Sequence, residues 1–203
     1  LTMTYTLEIT GNRFVTILLK RFQLVYPTVT TFILRDSTNP VELSNILFFN
    51  SRVKILILIN SKVLTTRADG VVPNKVETIS GLKISDEQFQ LRNYSTNNLR
   101  YLKVATKLGI GHNMLYFSGV QLTELHYTNP RIAQFSWEQL PESLQGLEKL
   151  TLDFPNVTTI RGQFVFPAMK ELEILGNKAR ISQGVLQPSN GTMSQLSRLS
   201  LSK

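Results

Sequence analysis

The sequence predicts an α/β solenoid, a coil of short stacked repeats whose strands form one parallel β-sheet on the concave face and whose convex side is closed by irregular or short helical segments. Three observations predict it. One apolar spacing recurs along the chain at intervals of 20–27 residues. The residue between each pair of apolar strand positions is non-apolar in seven of nine cases, which is the alternation a half-buried strand requires. A second apolar site recurs three residues ahead of a repeat start at Tyr26, Val76, Leu144, Phe166 and Met193, so two faces of each turn are filled.

Taken in order, Leu7-x-Ile9-x-x-Asn12-x-Phe14 opens the array. Val29-x-x-Phe32-x-Leu34, Val53-x-x-Leu56-x-Leu58, Ile79-x-x-Leu82-x-Ile84 and Leu99-x-x-Leu102-x-Val104 follow. Leu122-x-x-Leu125-x-Tyr127, Leu147-x-x-Leu150-x-Leu152, Met169-x-x-Leu172-x-Ile174 and Leu196-x-x-Leu199-x-Leu201 complete it. Residues 1–203 thus form a single array of eight to nine irregular repeats. One such unit cannot fold alone: about five buried side chains at ~1.5–3 kcal/mol each do not offset ~1–2 kcal/mol of ordering per residue. Stacking covers the same side chains from both sides, which aligns the strands in parallel.

Composition narrows the class. Hydrophobic residues make up 42% of 203 and mean hydropathy is −0.02, too apolar for a disordered chain. The longest uncharged apolar tract, Ile55–Ile59, is far short of the ~20 residues a membrane span needs. The net charge of +8 divides into +5 before residue 101 and +3 after it, so it is diffuse rather than a nucleic-acid stripe. With no cysteine, disulfides, thiolate metal sites and Cys nucleophiles are all excluded. The chain opens at Leu1, with no basic flank ahead of an apolar stretch, and reads as an internal piece of a longer array without its caps.

These repeats resemble the leucine-rich-repeat family, whose L-x-x-L-x-L-x-x-N pattern they follow over nearly the whole chain. The resemblance is strongest over residues 122–203, where Gln139-Leu140-Pro141-Glu142-Ser143-Leu144-Gln145-Gly146-Leu147 looks like a return segment of extracellular repeats. Prolines at 27, 73, 141, 155, 167 and 188 argue against long convex helices. The looser pattern is similar to Toll-type receptor ectodomains and secreted immune repeat proteins of invertebrates. The family's ladder asparagine stands in place only at Asn12 and Asn177; elsewhere the ninth position holds Ser37, Ser61, Glu87, Lys107, Pro130 or Pro155. Distorted turns are expected there, with Asn60, Asn129 and Asn156 as shifted substitutes.

Groups with chemical reactivity are few. His112 and His126 belong to no metal motif, and no cofactor or metal site is expected. Gly109-Ile110-Gly111-His112-Asn113 lacks the lysine of a phosphate loop and reads as a turn. No nucleophile elbow or His-paired carboxylates point to catalysis, so the chain is expected not to be an enzyme. Asn93-Tyr94-Ser95, Asn156-Val157-Thr158 and Asn190-Gly191-Thr192 are glycosylation sequons at Asn93, Asn156 and Asn190, about as many as random placement of 14 Asn and 36 Ser and Thr gives.

Recognition is the better reading, because outward strand positions are free of packing duties. The expected partner-binding residues are Ile33, Arg35, Ile55, Ile57, Ile59, Lys83, Tyr101, Lys103 and His126. They combine an aliphatic patch with adjacent charges, a plausible protein-contact surface. Alternatively, residues 53–59 are a strand buried on both faces. The resemblance implies a protein-binding module of an extracellular receptor or secreted immune protein, acting in innate immunity or signalling, with a protein ligand or co-receptor as partner. An intracellular adaptor, and a sensor of an anionic ligand such as nucleic acid, stay open as alternatives.

Overall fold

The computed structural model describes residues 5–11, 29–38, 40–42, 52–64, 75–84, 97–108, 121–176, 180–181 and 195–202. Among the described residues fourteen strands follow in chain order: β1 Tyr5–Thr10, β2 Val29–Arg35, β3 Val41–Glu42, β4 Ile55–Ile59, β5 Val63–Leu64, β6 Thr78–Ile84, β7 Tyr101–Thr106, β8 Glu124–Thr128, β9 Gln134–Ser136, β10 Lys149–Asp153, β11 Thr159–Arg161, β12 Glu171–Leu175, β13 Arg180–Ile181 and β14 Arg198–Ser202. Nine of them pair in sequence as one parallel sheet, β1-β2-β4-β6-β7-β8-β10-β12-β14. The chain is therefore a parallel β-solenoid.

Its coil follows from the repeat spacing. Phe32, Leu56, Leu102, Leu125, Leu150 and Leu172 occupy equivalent positions on successive strands and are buried, as are Leu34, Leu58, Val104, Tyr127, Leu152 and Ile174 two residues on. At ~1.5–3 kcal/mol per large side chain, this column is the main stabilising term. One repeat is placed differently from its sequence spacing. Ile79, expected as a first position, pairs instead with Leu56 and Leu102, and Val76 takes the first position, buried like Val53 and Leu99. The displacement is absorbed by a bulge between Ile79 and Leu82. Gly81 sits in it at φ +81, where an added Cβ would collide with the Leu58 carbonyl. Glycine tolerates both the angle and the approach.

Among the described residues the return segments contain no α-helix. They carry two 3-10 turns, Trp137–Gln139 and Glu142–Leu144, and two small parallel sheets, β3-β5 and β13-β11-β9. Aromatic rings fill this side: Phe135, Phe154 and Phe164 are buried with Trp137, which stands nearly perpendicular to Phe135 and Phe164 at 5.1 and 4.8 Å. Each such edge-to-face pair contributes ~0.5–1.5 kcal/mol beyond its burial.

The turns after the strands are distorted, as the missing ladder amides suggested. Asp36 and Asn60 both adopt left-handed φ, +54 and +48, and Asn60 Nδ2 donates to Asp36 Oδ1 at 3.2 Å. Ser37 and Ser61, at ninth positions, are buried, and the Ser61 hydroxyl takes over part of the amide's role by accepting the Ser37 N–H and donating toward the Leu34 carbonyl. Asn129 is fully buried; its Nδ2 donates to the Leu108 carbonyl at 2.6 Å and its Oδ1 accepts Arg131 N–H at 3.0 Å. Asn156 is exposed and donates to the Pro130 carbonyl at 2.6 Å.

Candidate functional site

Period-two alternation sends every second strand residue out of the core, and the parallel ladder sets those residues side by side at ~4.8 Å strand spacing. Ile33 stands opposite Ile57, Thr31 opposite Ile55 and Arg35 opposite Ile59. The four isoleucines on β2 and β4 thus form one outward aliphatic patch. Ile55 is 36% exposed and Ile33, Ile57 and Ile59 are half-buried, so β4 is covered on one face, not on both.

Beyond the patch, Ile57 faces Ser80, and Thr78 faces Tyr101. Tyr101 in turn faces Glu124, and Lys103 faces His126. The bulge changes the place of one expected contact: Lys83 pairs with Ala105, while Lys103 lies across from Ser80 and Gly81. All nine residues singled out in the sequence occupy the outward side of this one sheet. Lys83 and Lys103 are exposed, and among the described residues neither forms an ion pair. Arg35 differs, with its Nε 2.8 Å from Glu8 Oε1.

Further along, the character of the face changes from aliphatic to ionic. Lys149 lies 3.2 Å from Glu124 and 3.8 Å from Glu171, and Arg198 reaches Glu171 at 4.0 Å. The hydrogen bond and charge of Glu124 raise the Lys149 ammonium above its ordinary value. Burial, reinforced by the charge of Lys103, lowers the His126 imidazole, against the opposing pull of Asp153, Glu173 and Glu124. Burial and then Glu124 raise the Tyr101 phenol. Each shift favours the form that a water-poor neighbourhood tolerates or a carboxylate attracts.

Among the described residues no group of three or more His, Asp or Glu side chains could hold a metal ion, and no helix is long and apolar enough to cross a membrane. His112 and the whole 109–113 segment lie outside the described residues, as do the sequons at Asn93 and Asn190. Asn156 stands in an exposed turn, where Thr158 Oγ1 donates to the Ala133 carbonyl at 2.9 Å.

A recess on the return side escaped the sequence reading. It is lined by Trp137, Leu140, Phe166 and Val165 together with Glu138 and Glu142. The alternations Phe135-x-Trp137 and Phe164-x-Phe166 were its only legible signals. Comparison with protein-family models, with curated proteins and with solved structures gave no match to this chain.

Proposed function

We propose that this solenoid is a recognition module of the leucine-rich-repeat kind, which binds a protein partner through the outward face of its nine-stranded sheet. In this reading it serves in an extracellular receptor or a secreted immune protein, and it binds rather than catalyses. The observation that carries the reading is the juxtaposition of Ile33, Ile55, Ile57 and Ile59 with the exposed side chains of Lys83 and Lys103 and the ring of Tyr101. An apolar centre edged by charge and an aromatic suits a protein interface, where desolvated aliphatic and aromatic anchors supply affinity and rim charges steer approach. Alternating carboxylates and cations from Glu124 to Arg198 give the rest of the face no single sign, which favours a protein over a polyanion.

The test is a paired binding screen. The parent chain and an Ile57→Asp, Tyr101→Ala variant, matched in circular dichroism, are presented to a library of secreted and cell-surface proteins. A protein held by the parent and released at least tenfold faster by the variant supports the reading. Equal binding of every captured protein by both forms rejects it. A ligand whose affinity collapses between low and moderate salt assigns the face to an anion instead.

A further inference from the structure

The return side carries a second surface feature, separate from the outward face of the large sheet and independent of the function proposed for it. Around the two 3-10 turns Trp137–Gln139 and Glu142–Leu144, the surface opens into a recess of about 340 Å³. Its apolar wall is formed by Trp137, Leu140 and Phe166, with Val165 left 40% exposed to solvent. Two carboxylates, Glu138 and Glu142, share the lining with Pro141, Gln145 and Gln163, and no Lys, Arg or His is among the described lining residues. Among the described residues neither carboxylate has an ion-pair partner.

Glu138 is held in place rather than free to sweep solvent. Its carboxylate accepts the Gln163 N–H at 2.9 Å and is in contact with the Ser136 hydroxyl. It lies against Gly162, which has φ +86 and where any Cβ would run into the carboxylate oxygens. The hydrogen bond from Ser136, and after it that from Gln163, hold the carboxyl below its ordinary range, so it stays ionised. The side chain has therefore already lost most of the freedom that an exposed Glu gives up when it binds a cation.

We propose that this recess receives a basic side chain, arginine or lysine, from a peptide segment of a partner protein. The aliphatic stem lies along Val165, covering apolar surface that folding leaves open, while the cationic head meets Glu138 and Glu142. Long basic side chains are amphipathic in this sense, apolar along the stem and charged only at the tip. Charge complementarity selects them over an aliphatic or acidic occupant, and a planar guanidinium suits two carboxylates best.

The chain has a single tryptophan, Trp137, and it lines the recess, so indole emission is a local probe of it. The probes are an acetylated, amidated Gly-Leu-Arg-Gly peptide and its citrulline counterpart, which keeps the shape and removes the charge. The arginine peptide is expected to change Trp137 emission saturably, with the citrulline peptide about fivefold weaker. Glu142→Gln, which removes no hydrogen bond seen in the recess, is expected to weaken the arginine peptide about two- to threefold with circular dichroism unchanged, and Glu138→Gln to do the same. Absence of a saturable response in the folded parent chain overturns the proposal, and so does equal binding of the two peptides. A protein-concentration-dependent emission change without peptide, abolished by Glu142→Gln, gives the recess to a second copy of the chain and also overturns it.

Discussion

The Ser61 hydroxyl accepts the backbone N–H of Ser37, 24 residues earlier, at 3.3 Å. The same oxygen lies within donating distance of the Ile59 and Leu34 carbonyls, at 2.8 and 3.1 Å. One buried hydroxyl thereby ties the turns that follow β2 and β4. Ser61→Ala removes an acceptor and a donor together, and is expected to lower stability by about 1–3 kcal/mol in chemical denaturation. An unchanged denaturation midpoint and slope would show that the serine is not holding the turns.

Gly81 makes the second prediction. Its φ of +81 and its approach to the Leu58 carbonyl leave no room for a Cβ. Gly81→Ala must either strain the bulge or shift β6 by a residue against β4 and β7, at a cost of about 2–4 kcal/mol. Gly146, with nothing within 4 Å of an added Cβ, is the control: Gly146→Ala is expected to change stability by less than about 1 kcal/mol. Equal melting shifts for the two variants would refute the bulge as the reason for glycine.

The contrast between these sites shows what a sequence of this kind discloses. Leu125, Leu150 and Leu172 were legible because a strand's period of two and a regular interval between turns leave an apolar signature that survives substitution among Leu, Ile, Val and Phe. The outward residues followed at once, since they are the complement of the core. Val76 and Ile79 were misplaced by three residues, because a bulge adds a residue without changing composition. Ser37 and Ser61 read as departures from an amide ladder although a hydroxyl can satisfy the same backbone groups. The recess at Trp137 was missed because return segments differ in length, so its residues share no spacing that could be aligned.

The aliphatic patch is open to a direct check. An Ile55→Lys, Ile57→Thr variant keeps β-propensity at the half-buried Ile57 position while removing apolar area from the outward face. It is expected to bind anilinonaphthalene sulfonate at least twofold less than the parent, with stability changed by less than about 1.5 kcal/mol. Leu56→Ala, whose side chain is fully buried, is expected to cost about 2–5 kcal/mol instead. If both variants lost stability equally, the face bearing Ile55 and Ile57 would be core rather than surface.

Lys149 sits between Glu124 and Glu171, with its side chain 43% exposed. Water and salt screen such a pair, so the contribution is small despite the favourable geometry. Lys149→Gln is expected to lower stability by about 0.5–1 kcal/mol at low salt, and the difference is expected to fade in molar sodium chloride. A penalty that persists at high salt would mean that the lysine stem, rather than its charge, stabilises the sheet.

His126 supplies the pH dependence. Burial and the nearby Lys103 hold its imidazole below the ordinary 6.5, so the unfolded chain takes up the proton first as pH falls. The stability associated with neutral His126 is then complete above about pH 6.5, declines as pH drops below that value, and stops declining once the folded protein is protonated as well. Lys103→Gln removes the cation that opposes protonation and is expected to move the His126 midpoint upward and shrink the acid-side loss. Proton NMR titration measures this directly, since the chain has two histidines and His112→Gln leaves one imidazole signal. A parent midpoint at or above 6.5, or one that Lys103→Gln lowers, would contradict the assigned causes. Because His126 faces Lys103 across β7 and β8, protonation also adds a second positive charge to the outward face. A partner that contacts this part of the sheet through carboxylates should therefore bind more tightly below pH 6 than at pH 8, and the gain should vanish in His126→Gln.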